Sequence, residues 1–71
     1  MKWLKGTLVE HKPSGKVGIV NRYEVYTDKL VVVVMNKQGK RRHALYSASS
    51  CKETTYEKWA EFIRDKIKYE V

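Results

Sequence analysis

The run Leu30–Met35, "LVVVVM", constrains this chain more than any other stretch. Its four consecutive valines are stiff at χ1, which favours an extended, pleated backbone over a helix. Six apolar residues are too few for a membrane span, which needs roughly 20. The run does not alternate with polar residues, so it predicts a strand buried on both faces or placed centrally in a sheet. A polar turn, Thr27–Lys29, precedes it. "NKQGK" follows, where Gly39 can take the left-handed conformation, and Arg41–Tyr46 then returns as an antiparallel partner.

The remaining segments supply sheet and helix in that order. Leu4–Glu10 reads as a strand, and "HKPSGK" carries a turn at Pro13, Ser14 and Gly15. Lys16–Tyr26 is rich in Val, Ile and Tyr and reads as a second strand. Gly18 inside it predicts a bulge, or a bend where another backbone passes closely. Ser47–Cys51 is compatible with a tight corner and a short closing strand. Thr54-Thr55-Tyr56-Glu57 has the form of a capping box with Thr54 as N-cap. Tyr56, Trp59, Ala60, Ile63 and Ile67 then recur at helical spacing, with Phe62 on the flank.

The expected fold is mainly β with one helix: a small, highly twisted antiparallel barrel of four to five strands over residues 1–53, followed by a C-terminal amphipathic helix, residues 54–71, packed on it. Seventy-one residues make a single domain, and a chain of this size buries only about 60% of its unfolded surface, which leaves little room for a deep catalytic cleft. Cys51 is the one cysteine, so no internal disulfide can staple the fold. Lys5 and Gly6 interrupt the start of the chain too early for a signal peptide, and a cytoplasmic location is expected.

Charge is distributed unevenly. Fifteen Lys and Arg stand against eight Asp and Glu, for a net +7. Residues 54–71 hold four cations and four anions and are neutral, whereas residues 1–53 hold eleven cations and four anions and carry the whole excess. A surface of one sign attracts polyanions over a Debye length of about 8 Å at physiological salt. The partner surface is therefore expected on the first part of the chain.

"GTLVEHKPSGKVGIV…KLVVVVM", about Gly6 to Met35, resembles the KOW motif of SH3-like barrels in large-subunit ribosomal proteins and transcription elongation factors. The matching features are the apolar pair Leu8 and Val9, the turn ending Ser14-Gly15-Lys16, Gly18 before Ile19-Val20, and the later apolar strand. The resemblance implies an SH3-like fold that binds RNA, DNA or a gene-expression protein, with Lys12, Gly15 and Lys16 in the loop presented to partners. The basic cluster after Met35 and the terminal helix lie outside the motif.

The candidate binding residues follow from charge and aromatic content. Lys37, Lys40, Arg41, Arg42 and His43 surround the glycine of one hairpin, where Arg can contact phosphate bidentately. Strand alternation sends Arg41 and His43 to one face and Arg42 and Ala44 to the other. The competing explanation is an edge hairpin kept soluble by its charges. Lys12, Lys16 and Arg22 extend the positive surface, and Tyr23, Tyr26 or Trp3 offer stacking platforms for unpaired bases. The competing role is filling the barrel or meeting the helix, favoured for Trp3 and balanced for Tyr23 and Tyr26, while Trp59, Ile63 and Ile67 read as core between helix and sheet.

Enzyme chemistry finds no footing. His11, His43 and Cys51 have no recognised metal or nucleophile spacing, and "PSGKVG" leads into a strand rather than a phosphate-binding helix. The expectation is a non-enzymatic nucleic-acid-binding domain, DNA or RNA, of low sequence specificity, without cofactor or metal, and possible as a regulator of transcription or translation. The alternative is a protein-interaction module docking on an acidic surface of polymerase, ribosome, regulator or host protein, as a phage effector does. No membrane partner is expected, and a monomer is expected over a helix-mediated homodimer.

Overall fold

The computed structural model describes residues 3–36 and 38–68, with side chains described through Arg64. Five strands form one antiparallel sheet: β1 (Leu8–His11), β2 (Lys16–Glu24), β3 (Lys29–Met35), β4 (Arg41–Ser47) and β5 (Cys51–Glu53), in the spatial order β4-β3-β2-β1-β5. A single 3-10 turn, Ala48–Ser50, joins β4 to β5, and helix α1 (Tyr56–Lys68) follows. The sheet stays open, with β4 and β5 as its edges, rather than closing into the barrel the sequence predicts. Only three residues, Ala48–Ser50, separate β4 from β5, and β5 pairs with β1 alone among the strands.

β3 explains the unbroken apolar run. Leu30, Val32 and Val34 are buried on one face, while Val31, Val33 and Met35 are half-buried on the other. The inner face joins Leu30, Val32 and Val34 to Val9, Val20, Ala48 and Cys51, with Trp3, Tyr23, Ala44 and Tyr46 packed around them. Each fully buried Val or Leu contributes about 1.5–3 kcal/mol. The outer face carries Ile19 paired with Val33, beside Val17 and Met35, and helix residues Trp59 and Ile63 lie against this patch.

The open sheet is nevertheless strongly curled. His11 on β1 and Tyr46 on β4 stack with ring centroids 3.9 Å apart and planes 10° from parallel, although two strands lie between theirs. In a flat sheet three strand spacings would separate them by roughly 14 Å. Gly18 makes the approach of β2 and β3 possible. A Cβ there would meet the Val33 carbonyl oxygen, and would come within 2.6 Å of Val32 Cγ1 and 2.8 Å of Val34 Cγ1. The expected close passage is therefore at Gly18, but the bulge is elsewhere, in the register shift between Val20 and Arg22 that leaves Asn21 unpaired.

Three boundaries differ from expectation. Residues 4–7 form a turn rather than strand, because Gly6 takes φ 95° and its N–H donates to the Val20 carbonyl. β2 ends at Glu24, before Val25 and Tyr26, which are exposed in the turn. The helix cap is Thr55, whose Oγ1 accepts from the Lys58 N–H at 3.2 Å, while Thr54 N–H is committed to the Leu8 carbonyl at 3.0 Å. The sheet edge thus takes Thr54 first and the cap moves one residue on.

Gly18→Ala is expected to destabilise the fold by about 3 kcal/mol, since backbone must move to admit the methyl group. Gly15→Ala, where φ is +73° with open space around the Cβ position, is expected to cost about 1 kcal/mol. Urea denaturation of the two variants checks the order; equal losses would remove the close-approach argument.

Candidate nucleic-acid interface

The basic hairpin is built around Asn36. Its Oδ1 accepts from the Gln38 N–H at 2.9 Å and from the Lys40 N–H at 3.0 Å. Its backbone N–H donates to the Lys40 carbonyl at 2.9 Å, and the Gly39 N–H, with Gly39 at φ 75°, donates back to the Asn36 carbonyl. This local network fixes the tip from which the cations project. Lys40, Arg41, Arg42 and His43 are all exposed. Lys37, the fifth candidate, lies outside the described residues.

Register settles which faces the cations occupy. Arg41 stands opposite Met35 and His43 opposite Val33, on the outer face beneath the helix side; Arg42 stands opposite Val34 and Ala44 opposite Val32, on the inner face. β4 is an edge strand, so its side chains splay to both sides of a free backbone edge.

Two carboxylates near the β2–β3 turn are engaged there. Glu24 pairs with Arg22, the one ion pair among the described residues. Asp28 accepts a hydrogen bond of 2.6 Å from the Tyr23 hydroxyl. Glu10 is half-buried, with Oε1 unpartnered among the described residues. Lys40, Arg41 and Arg42 are exposed, and among the described residues no ion pair engages them.

The other candidates do not join the hairpin. Lys12 and Lys16 flank the β1–β2 turn, where Lys12 N–H donates to the Ser50 carbonyl at 2.9 Å and the adjacent His11 stacks on Tyr46. Tyr46 lies five residues beyond Arg41 on β4, roughly 17 Å along the strand. His11, beside Lys12, thus lies at the Tyr46 end of β4, whereas Lys16 opens β2 next to Val17, which lines one cleft with Arg41. Arg22 is engaged by Glu24 in mid-sheet. Tyr23 packs on the core and is held by Asp28, so it is no free stacking platform. Trp3 likewise packs on the core, whereas Tyr26 is fully exposed in the β2–β3 turn.

His11, His43 and Cys51 do not assemble into a thiol-imidazole site. His11 stands opposite Cys51 in the β1–β5 register, but its Nδ1 is engaged with Ser14 Oγ at 2.8 Å, and His43 is on another face. Burial pushes the Cys51 thiol up, against a smaller lowering from Lys12, which makes it a poor nucleophile. Burial also raises the Tyr46 phenol, helped by Cys51 and opposed by Ser14. Among the described residues no group of three His, Cys, Asp or Glu could hold a metal ion, and no helix is long and apolar enough to cross a membrane.

One feature with binding character was hidden from sequence reasoning. Between helix and outer sheet face lies a cleft of about 400 Å³, with Trp59 and Ile63 on one side, Ile19, Val33 and Met35 on the other, and Lys5 and Arg41 among its lining residues. Helical periodicity marks Trp59 as core, and only the packing of α1 against β2 shows that its indole also faces open space. No protein-family model, curated protein or solved structure matches this chain.

Tyr23 provides a titration handle on the turn beside Tyr26. The hydrogen bond to Asp28, then burial, then the Asp28 charge raise its phenol above the ordinary 10.0. A pKa raised on folding stabilises the fold fully below the unfolded value, and that contribution is lost as pH rises through the folded value. Asp28→Asn is expected to lower the Tyr23 midpoint, read by ultraviolet difference titration against a Tyr23→Phe control. An unchanged midpoint would contradict the assigned bond.

Proposed function

We propose that this protein is a non-enzymatic nucleic-acid-binding domain that grips phosphate with its β3–β4 hairpin. The observation carrying the reading is the positive tip: Lys40, Arg41 and Arg42 are exposed around a turn ordered by Asn36 and form no ion pair among the described residues, while Glu24 and Asp28 are engaged at the β2–β3 turn. A phosphate chain running along the free edge of β4 meets Arg41 from one face and Arg42 from the other. Guanidinium forks suit such contacts, and strand backbone at an edge can add N–H donors.

The strand order and the 3-10 corner before β5 support an SH3-like architecture, here in open form. That architecture fits the KOW resemblance, with one shift of emphasis: the β1–β2 turn holding Lys12 and Lys16 becomes a secondary contact and the β3–β4 tip the principal one. Specificity is low in this reading, because residues 54–71, which include α1, have balanced charge and the apolar side of α1 lies toward the sheet, leaving no strongly cationic helix face for a major groove.

A second reading, docking on an acidic protein surface, draws on exposed apolar groups near the opposite end of the outer face. Leu45 and Val31 lie in a shallow groove with Arg22 and Lys29, and Val25 and Tyr26 are exposed nearby. Leu45→Asp distinguishes the two, since it should abolish a protein contact and leave phosphate binding within a few-fold.

The logarithm of the binding constant for a mixed-sequence oligonucleotide is expected to fall linearly with the logarithm of salt concentration. Arg41→Gln with Arg42→Gln should reduce the magnitude of that slope by about 2, roughly one per lost phosphate contact. Fluorescence anisotropy across a salt series checks this. Salt-insensitive binding, or an unchanged slope in the double variant, would contradict the reading.

A further inference from the structure

The cleft between α1 and the outer sheet face is not needed for phosphate contact, yet it is continuous with the hairpin through Arg41. Its volume of about 400 Å³ falls within the roughly 300–1,000 Å³ range of small-ligand sites. Its lining combines three recognition elements. Ile19, Val33, Met35 and Ile63 make an apolar slot; Trp59 supplies an aromatic surface, with Tyr56 tilted against it at a centroid distance of 5.6 Å; and Lys5 and Arg41 are both exposed cations. The described lining contains no carboxylate.

Asn21 adds a fourth element. It sits at the register shift of β2 and lines the cleft, and no side-chain hydrogen bond engages its carboxamide among the described residues. Bulges re-aim side chains next to binding sites, and a carboxamide offers both a donor and an acceptor. An aliphatic acid would satisfy the cations but leave this amide and the indole without use. A planar, polar-edged ring flanked by negative charge uses all four.

We propose that the cleft receives one unpaired nucleobase, stacked on Trp59, while Lys5 and Arg41 hold the flanking phosphates. This rests on the nucleic-acid reading above and narrows its substrate to single strands, since a duplex keeps its bases paired and stacked. Base–aromatic stacking tolerates any sequence, which accords with low specificity.

The test compares three probes on the wild-type chain by intrinsic fluorescence and by anisotropy: a short oligothymidylate, an all-abasic strand of equal length, and a blunt duplex. Oligothymidylate should quench tryptophan emission and bind about tenfold more tightly than the abasic strand. The duplex and the abasic strand should bind without quenching. Trp59→Phe should remove the quenching, with the core residue Trp3 still emitting. Equal affinity for oligothymidylate and the abasic strand with no quenching would overturn the cleft assignment and leave the phosphate grip standing. Quenching by the abasic strand would also overturn it, and so would quenching by a leucine-containing acidic peptide but not by oligothymidylate. Failure of every nucleic-acid probe to bind would overturn both proposals.

Discussion

A very small inner core forces the sheet to curl, and the rest of the molecule follows from that curl. Val9, Val20, Leu30 and Val32 are the fully buried side chains, and four such groups cannot be shielded by a flat sheet with one open face. β2 and β3 approach closely where Gly18 has no side chain, and the far strands fold over until His11 and Tyr46 meet. The same curvature leaves an outer apolar patch for α1 to cover, and because the helix contacts chiefly β2, that cover is incomplete along β3.

Electrostatics reinforce the division between a structural end and a binding end. Near the β2–β3 turn, Asp28 and Glu24 are taken up by Tyr23 and Arg22. At the opposite end the hairpin has polar backbone ordering from Asn36, and among the described residues no ion pair takes up its cations. Charge on an edge strand also deters edge-to-edge aggregation. The two roles are compatible: a cationic edge repels another copy of itself while attracting a polyanion.

Patterns with a local physical cause were legible in the sequence. The valine run, the Gly15 and Gly39 turns, the alternation of Arg41 and Arg42, and the amphipathic stripe through Trp59 and Ile63 all depend on neighbours in the chain. What escaped depends on distant strands. The sheet stays open because a short β5 is paired to β1, a long-range choice. The cap moved to Thr55 because Leu8 claimed Thr54. Summed charge made Lys12, Lys16 and Arg22 extensions of the hairpin's positive surface, but charge counts carry no positions, and only the fold shows Arg22 engaged by Glu24. Tyr23 likewise resembles an available aromatic until Asp28, five residues on, is seen to hold its hydroxyl.

The central claim is that the cationic tip of the β3–β4 hairpin, with the adjoining cleft, is where a polyanion binds. Chemical-shift mapping of the amide spectrum during titration with a short single-stranded oligonucleotide tests it most directly. The account predicts the largest changes at Asn36 to His43, with a second group at Lys5, Asn21 and Trp59. Changes centred instead on Lys12 to Lys16 and the 3-10 turn, or a spectrum unaffected by the strand, would contradict it.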